Sequence, residues 1–573
     1  MARRAWRELR GDLLQRVCSG GDGAGGGFLR PLELVRGTAE ASRRLQSLEE
    51  QLKSKAKAST FWERVQLASV LDLGRRHREA AEQLSLADAG LRSGSKSQQA
   101  AAALLGALVQ RHLRWEEQRS SRSQRRSLRA ADVEILPGST TREELRSFLL
   151  PGKERPFILR NFRTPRWAPE DLREILGQRR VPIRRCEEAS ANWAALEFVS
   201  AVPFSDFYDE HVLPYLAEGV LAPRDSPQLF DHSIWQHCED TLIGRELLMP
   251  SQVFPRDLYT SASAEVHPVT GSAGPTLFLA PQGTGSSLHV DTLQTHFWMM
   301  LCHGQKRWRL VSAEDLCLLR PLYLTDLNPV FPRDFDALKE EAPEEAPEAF
   351  PAVSEVLLEP GDLLFVPAGW PHQVENLKTS VAVSANFVDE SNLSRSVEEA
   401  DLLGLVEETP QLLSASLHRA GAAGEDQAEP TSASETLRGF KARHGEPRAP
   451  REVQGLLKRG LACASLALLS AGALTWAWLR ATPKEEMLAE GLLMVDRAAK
   501  AKRRTRRVLA DPVVAVQRQL GDLLPGYASL GDFCQHLGYL RHPTSGGFVP
   551  DENVSALSAQ TPEDFSPEGF YGQ

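Results

Sequence analysis

Apolar residues along this chain repeat in two different ways, and the change from one to the other divides it. Up to about residue 130 they recur at helical spacing, in 63–73, 75–89 and 98–115, with a Gly-rich break at 19–27. From 133 onward the apolar runs are short and separated by turn signals. Runs at 133–136, 155–160, 275–280, 297–302, 306–311, 373–377 and 380–388 read as strands. Two of them flank His303-Gly304 and predict a hairpin, and Pro360-Gly361 marks a turn inside the β-rich stretch 357–367. Thr140-Thr141-Arg142-Glu143 predicts a helix opening on a capping box. Segments 169–176 and 205–218 predict helices packed outside the sheet. Many short strands with regular turns predict a jelly roll or barrel.

After about 414 the composition turns to Ala, Gly, Glu, Pro and Ser until about 451, which reads as a linker. Beyond it, 461–479 carries no charge and has Trp476 and Trp478 near one end. Its length suits a membrane span, but six alanines among its residues make it only weakly hydrophobic. It is read as a buried or dimerising helix partnered by 485–497, with a single C-terminal membrane anchor as the alternative. The basic run 500–507 suits a nuclear-localisation signal, a nucleic-acid contact or the flank of such an anchor. Arg119 to Arg129 is a Ser/Arg-rich connector, and the acidic stretch 340–348 is a solvated insertion in the barrel.

The whole chain has 573 residues, 42% of them hydrophobic, and a net charge of -9, which allows several cored domains and disfavours a generally nucleic-acid-binding surface. Seven cysteines lie scattered without CxxC spacing, which suits a reducing compartment and provides no zinc site. The N-terminus lacks an apolar segment of secretory type. Nucleus or cytoplasm is the expected location.

Candidate chemistry sits in the strand-rich part. Gly283-Thr284-Gly285-Ser286-Ser287-Leu288-His289-Val290-Asp291 is answered far downstream by Ala368-Gly369-Trp370-Pro371-His372. On a strand, residues i and i+2 point the same way, so His289 and Asp291 can reach one metal together. A His-x-Asp pair with a distant His is the 2-His-1-carboxylate set of non-haem iron(II) oxygenases, which leaves positions open for other ligands. The neighbouring His296 and His303 read as surface residues of the hairpin, and Trp298, Trp308 and Trp370 as core or pocket wall.

From Glu134 to Glu390 the chain resembles the JmjC (Jumonji C) family, most closely its small hydroxylase subgroup. The resemblance rests on the spacing from His289-x-Asp291 to Gly304-x-Lys306-Arg307-Trp308. It rests also on Glu359-Pro360-Gly361-Asp362 through Gly369-Trp370-Pro371-His372 to Asn386-Phe387. It implies a mixed α and β fold with a double-stranded β-helix (cupin, jelly-roll) core, and dependence on iron(II), 2-oxoglutarate and O2. By carry-over His289, Asp291 and His372 hold iron, and Lys306 meets the distal carboxylate of 2-oxoglutarate. Ser286, Ser384 and Asn386 line the same pocket. Met299 departs from the pattern, since some relatives place Asn there; Thr295 or another hydroxyl would compensate. A buried carboxylate needs such partners because desolvating it unpaired is costly.

The chain accordingly divides into a helical N-terminal region with a basic linker (1–130), a catalytic domain (131–400), a helix and disordered linker (401–452) and a helical C-terminal region (453–573). The expected activity is hydroxylation of a protein side chain. N-methyl demethylation, tRNA-base hydroxylation and a non-catalytic scaffold are the alternatives. Possible further partners are nucleic acid through 500–507, a membrane through 461–479 and a second copy of the chain.

Overall fold

Two long strands, His296–Leu310 and His372–Phe387, run antiparallel through the middle of an 11-stranded sheet and carry Lys306, His372 and several other residues of the pocket described below. The computed structural model describes residues 1–422 apart from 20–27, 56–59, 91–93, 123–132, 188–189, 218, 232–241, 261, 263–274, 333 and 336–350, together with 539–541 and 548–550. The acidic stretch 340–348, most of the linker, 461–479, 485–497 and 500–507 lie outside the described residues. No helix among the described residues is long and apolar enough to cross a membrane.

The strands are β1 (Glu134–Pro137), β2 (Phe157–Arg160), β3 (Arg180–Cys186), β4 (Leu196–Pro203), β5 (Gln228–Asp231), β6 (Thr276–Ala280), β7 (Gly285–His289), β8 (His296–Leu310), β9 (Ser354–Leu358), β10 (Leu363–Val366) and β11 (His372–Phe387). Their order is β1-β2-β10-β8-β11-β6-β5-β3-β4, with β7 also on β11 and β9 also on β8. A short hairpin pairs Tyr539–Arg541 with Phe548–Pro550.

The continuous apolar run in β8 follows from burial on both faces. Phe297, Met299 and Leu301 join one core cluster, and the alternate residues Trp298, Met300 and Cys302 join another. The second cluster also takes Leu172 and Leu176 of the helix Pro169–Leu176, and Phe204 and Phe207 of the helical turns that begin at Phe204. Those turns continue as short segments to Tyr215 rather than as one helix over 205–218. The capping box is present one residue later than the sequence suggests, between Thr141 and Glu144.

The expected hairpin at His303-Gly304 is not one. β8 continues through Gly304 and pairs with β11 on both sides of it, and the segments 373–377 and 380–388 are likewise one strand. Gly304 has φ +84°, and a Cβ there would strike the carbonyl of Thr379. A glycine that reads as a turn is here a bulge that lets a bent strand stay paired.

The N-terminal helices Phe61–Leu73, His77–Gly90 and Lys96–Arg122 confirm the helical periodicity of that region. Their core is shared with Leu322, Tyr323 and Leu324 from the connection between β8 and β9. A buried polar network crosses the same junction. Arg10 is wholly buried and donates to the carbonyls of Leu324 at 2.8 Å, Ser69 at 2.9 Å and Tyr323 at 3.1 Å, and to the Asp72 carboxylate. Trp6 Nε1 donates to Thr325 O at 2.6 Å. Helices Leu393–Gly404 and Glu408–Ala422 follow β11 and pack on each other.

Candidate metal centre and its pocket

β7 ends on His289, Asp291 lies two residues beyond, and β11 begins on His372. The register pairs His372 directly with His289, so a strand end and a strand start meet. Their ring centroids are 4.2 Å apart, and one ligand atom from each of the three residues lies within 4.8 Å of the others. His289 Nδ1 faces the Ser287 carbonyl at 2.7 Å and His372 Nδ1 faces that of Trp370 at 3.0 Å. A carbonyl only accepts, so both Nδ1 atoms carry the proton and both Nε2 lone pairs are left for a metal.

The set fits a divalent cation. All three residues are buried, and Asp291 Oδ2 has no hydrogen-bond partner. An orphaned buried carboxylate oxygen facing two imidazoles is costly unless a cation completes it. Burial pushes the Asp291 carboxyl up, against His372 and the amide of Asn386, and pushes the His289 imidazole well down, with His372 adding to it. Neutral imidazole is the form that coordinates.

Lys306 stands on the next part of the same pocket. It is 3% exposed, its Nζ donates to Asn376 Oδ1 at 2.5 Å, and it lies 5.9 Å from the Phe278 ring. No carboxylate pairs with it among the described residues. Burial alone pushes its pKa down to about 7. Ser286, Ser384 and Asn386 line the pocket too, so the structure brings together every candidate site residue. Asn386 has a second role, since its amide acts to lower the pKa of the neighbouring Asp291 carboxyl and donates to Thr295 Oγ1 at 2.9 Å. Met299 is a pocket-wall residue opposite Ser384 in the β8–β11 register.

Two predicted surface roles need correction or narrowing. His296 is fully buried; its Nδ1 accepts from Ala368 N at 3.0 Å and its Nε2 bonds Ser391 Oγ at 2.7 Å. Burial drives its pKa to about 3. His303 is half-buried, and neither joins the metal set. Trp308 is a wall residue stacked on His372 at 5.4 Å.

Two residues escaped the sequence reading. Asn376 accepts from Lys306 and from Ser380 Oγ at 2.8 Å, while its Nδ2 donates to Thr284 O at 3.1 Å and Thr284 Oγ1 at 3.0 Å. It holds the lysine through a fully satisfied amide. It lies on β11 directly opposite Lys306 on β8, a pairing that no sequence motif marks. Trp193, edge-on to His289, had no motif around it.

A second buried group, Asp72, His77 and His112, also gathers ligand-type atoms. His112 Nε2 accepts from Tyr323 N at 3.3 Å, so its Nδ1 proton goes to Asp72 Oδ1 at 2.7 Å. His77 Nδ1 donates to the same oxygen at 2.8 Å, and Arg10 takes Oδ2. The carboxylate is already saturated and a guanidinium already supplies the positive charge, so this is a structural network.

Residues 153–392 match the model of the cupin-like domain. Over 229 residues the chain is 26% identical to the 2-oxoglutarate and iron-dependent oxygenase JMJD4 of Mus musculus, covering 39% of this chain and 50% of that protein. It is 25% identical over 189 residues to the bifunctional arginine demethylase and lysyl-hydroxylase psr-1 of Caenorhabditis elegans, covering 30% of this chain and 42% of that one. It is 33% identical over 120 residues to the lysine-specific demethylase JMJ21 of Arabidopsis thaliana, covering 20% and 12% respectively. The chain thus spans about half the length of JMJD4 and less of the other two.

Proposed function

We propose that this chain, whose residues 153–392 form a cupin-like domain of the JmjC type, is an iron(II)- and 2-oxoglutarate-dependent oxygenase that hydroxylates a protein side chain. The observation that carries the reading is the pairing of two unmet demands in one pocket. Asp291 Oδ2 lacks a partner beside two metal-ready imidazoles, and Lys306 is a buried amine with no carboxylate beside it among the described residues. A small dicarboxylate that chelates a metal at one end and ends in a second carboxylate answers both.

With both bound, iron and 2-oxoglutarate supply an oxidant from O2, releasing CO2 and succinate and delivering one oxygen atom to a substrate C–H bond. The chain's own residues bind and orient. His289, Asp291 and His372 would hold the metal, with their Nδ1–carbonyl bonds fixing both rings. Lys306, held by Asn376, would receive the distal carboxylate, and the hydroxyls of Ser286 and Ser384 lie in the same pocket. Phe297, Met299 and Trp308 keep the pocket wall apolar, which strengthens the ionic contact inside it.

A protein substrate is supported by the names of relatives that act on arginine and lysine. Hydroxylation is preferred to demethylation because the similarity to relatives named as an oxygenase or a lysyl-hydroxylase covers 39% and 30% of this chain, against 21% and 20% for relatives named only as demethylases. Mass spectrometry of cellular proteins treated with the enzyme, iron(II) and 2-oxoglutarate tests it. One added oxygen on a side chain supports hydroxylation; formaldehyde release with loss of a methyl group supports demethylation instead. Modified nucleosides in co-incubated RNA would replace both readings.

A further inference from the structure

We infer that Trp193 is a positioning residue for the metal centre, carried on a strained turn whose purpose is to fix the backbone between His289 and Asp291. This rests on the oxygenase reading of the triad. Trp193 stands on neither β7 nor β11, yet it touches the centre in two ways. Its ring meets the His289 imidazole edge-on, with centroids 4.6 Å apart at 75°. Its Nε1–H donates to Val290 O at 3.0 Å. Val290 is the residue between the two ligands, so one indole restrains the first ligand's ring and the peptide leading to the second. The Ser287 carbonyl holds His289 from its Nδ1 side, and Trp193 restrains the ring by contact.

The turn behind it is unusual. Ala194 and Ala195 follow with φ +55° and +56°, two consecutive left-handed residues of which neither is glycine. Each Cβ is pressed toward the following carbonyl, a conformation that persists only where the surroundings over-determine it. They do so here. Asn192 Nδ2 donates to both Glu197 oxygens at 2.9 Å, and Ser190 Oγ donates to Glu197. Asn192 O accepts from Ala195 N at 2.9 Å, and Ala195 O accepts from Glu187 N at 2.8 Å. Both alanines are buried, packed with Cys186 and Leu196. A loop that served only to connect β3 and β4 would have no need of such a clamp. Its far side faces a cleft shared with Leu32 and Arg36 of the N-terminal region, so that region abuts the turn that holds Trp193.

The test uses the full chain with Co(II), which reports on the ligand set through its visible absorption without cosubstrate or turnover. Trp193→Phe keeps a ring against His289 and loses the bond to Val290; Trp193→Ala loses both. Loss of an outer partner of a metal ligand typically weakens metal affinity about 10- to 100-fold. Expected are roughly a tenfold weaker Co(II) affinity for Trp193→Phe and a larger loss for Trp193→Ala, each with an altered Co(II) spectrum, while Trp193→Phe melts as the wild type does. Wild-type affinity and an unchanged spectrum in Trp193→Phe and in a folded Trp193→Ala would overturn the inference and leave the oxygenase reading standing. A wild-type chain that binds no Co(II) would remove both.

Discussion

Replacing Lys306 with methionine should make the protein more stable and a far poorer user of 2-oxoglutarate. The side chain is 3% exposed, and among the described residues its one hydrogen-bond acceptor is the neutral amide oxygen of Asn376 at 2.5 Å. Its pKa falls from the ordinary 10.5 to about 7 through burial. The folded pKa lies below the unfolded one, so the charged form is disfavoured by folding. Stability therefore declines as pH falls from about 10 toward about 7, and the penalty is fully present below that. At neutral pH the drop corresponds to a cost of order 4 kcal/mol, an upper bound because the pocket can relax. Methionine fills a similar volume without a charge, so the cosubstrate-free protein should melt several degrees higher. A carboxylate facing the variant loses a charged hydrogen bond worth about 2–3 kcal/mol, so KM for 2-oxoglutarate should rise about 30- to 150-fold. In the wild type, a carboxylate bound beside Lys306 raises its pKa again, so binding takes up a proton. Apparent affinity for 2-oxoglutarate should then weaken as pH rises above about 7, by up to roughly tenfold per pH unit. Steady-state kinetics across pH, with calorimetric melting of both proteins, measures all three effects. A KM within twofold of wild type, together with a lower melting temperature, would refute the reasoning and make Lys306 a packing residue.

Arg10→Met strands a buried carboxylate and three carbonyls at the junction of the helical region and the barrel, so thermal unfolding should register a loss of about 3–5 kcal/mol. Adding Asp72→Asn should recover part of it, and full additivity would argue against a coupled network. Burial works against the Asp72 carboxylate, but His112 and Arg10 outweigh it and hold its pKa well below the ordinary value. Its stabilisation is present above the unfolded carboxylate range and is lost as pH falls through the folded value, and acid unfolding of wild type against Asp72→Asn shows it. Met299→Asn places an amide opposite Ser384 on the pocket wall, and is expected to leave 2-oxoglutarate turnover unchanged or raised; inactivation would show that the thioether packs where an amide cannot.

Much of the site was legible because its signals are local or periodic. The i, i+2 spacing of His289 and Asp291 and the turn before His372 needed no partner strand to be read. Lys306 was reached through family resemblance and spacing, and the β8–β11 register then explains why it faces inward. What escaped depends on contacts distant in sequence. Gly304 carries the same turn signal whether the chain reverses or bulges, and only the pairing of β11 on both sides distinguishes them. His296 looks like any polar residue at a strand start until Ala368 and Ser391 close around it. Asn376 and Trp193 act through hydrogen bonds to Lys306 and Val290, with no motif to mark them.

Succinate formation from 2-oxoglutarate under iron(II) and O2, compared between the wild type and His372→Ala, tests the central claim most directly. His372 starts β11 with Nδ1 tied to Trp370 O, and its removal opens one side of the metal set while leaving the strand pairing intact. We expect steady succinate production by the wild type and none by a folded His372→Ala protein, with Asp291→Ala behaving alike. Equal succinate from the wild type and the folded variant would contradict the assignment of these three residues as the metal centre.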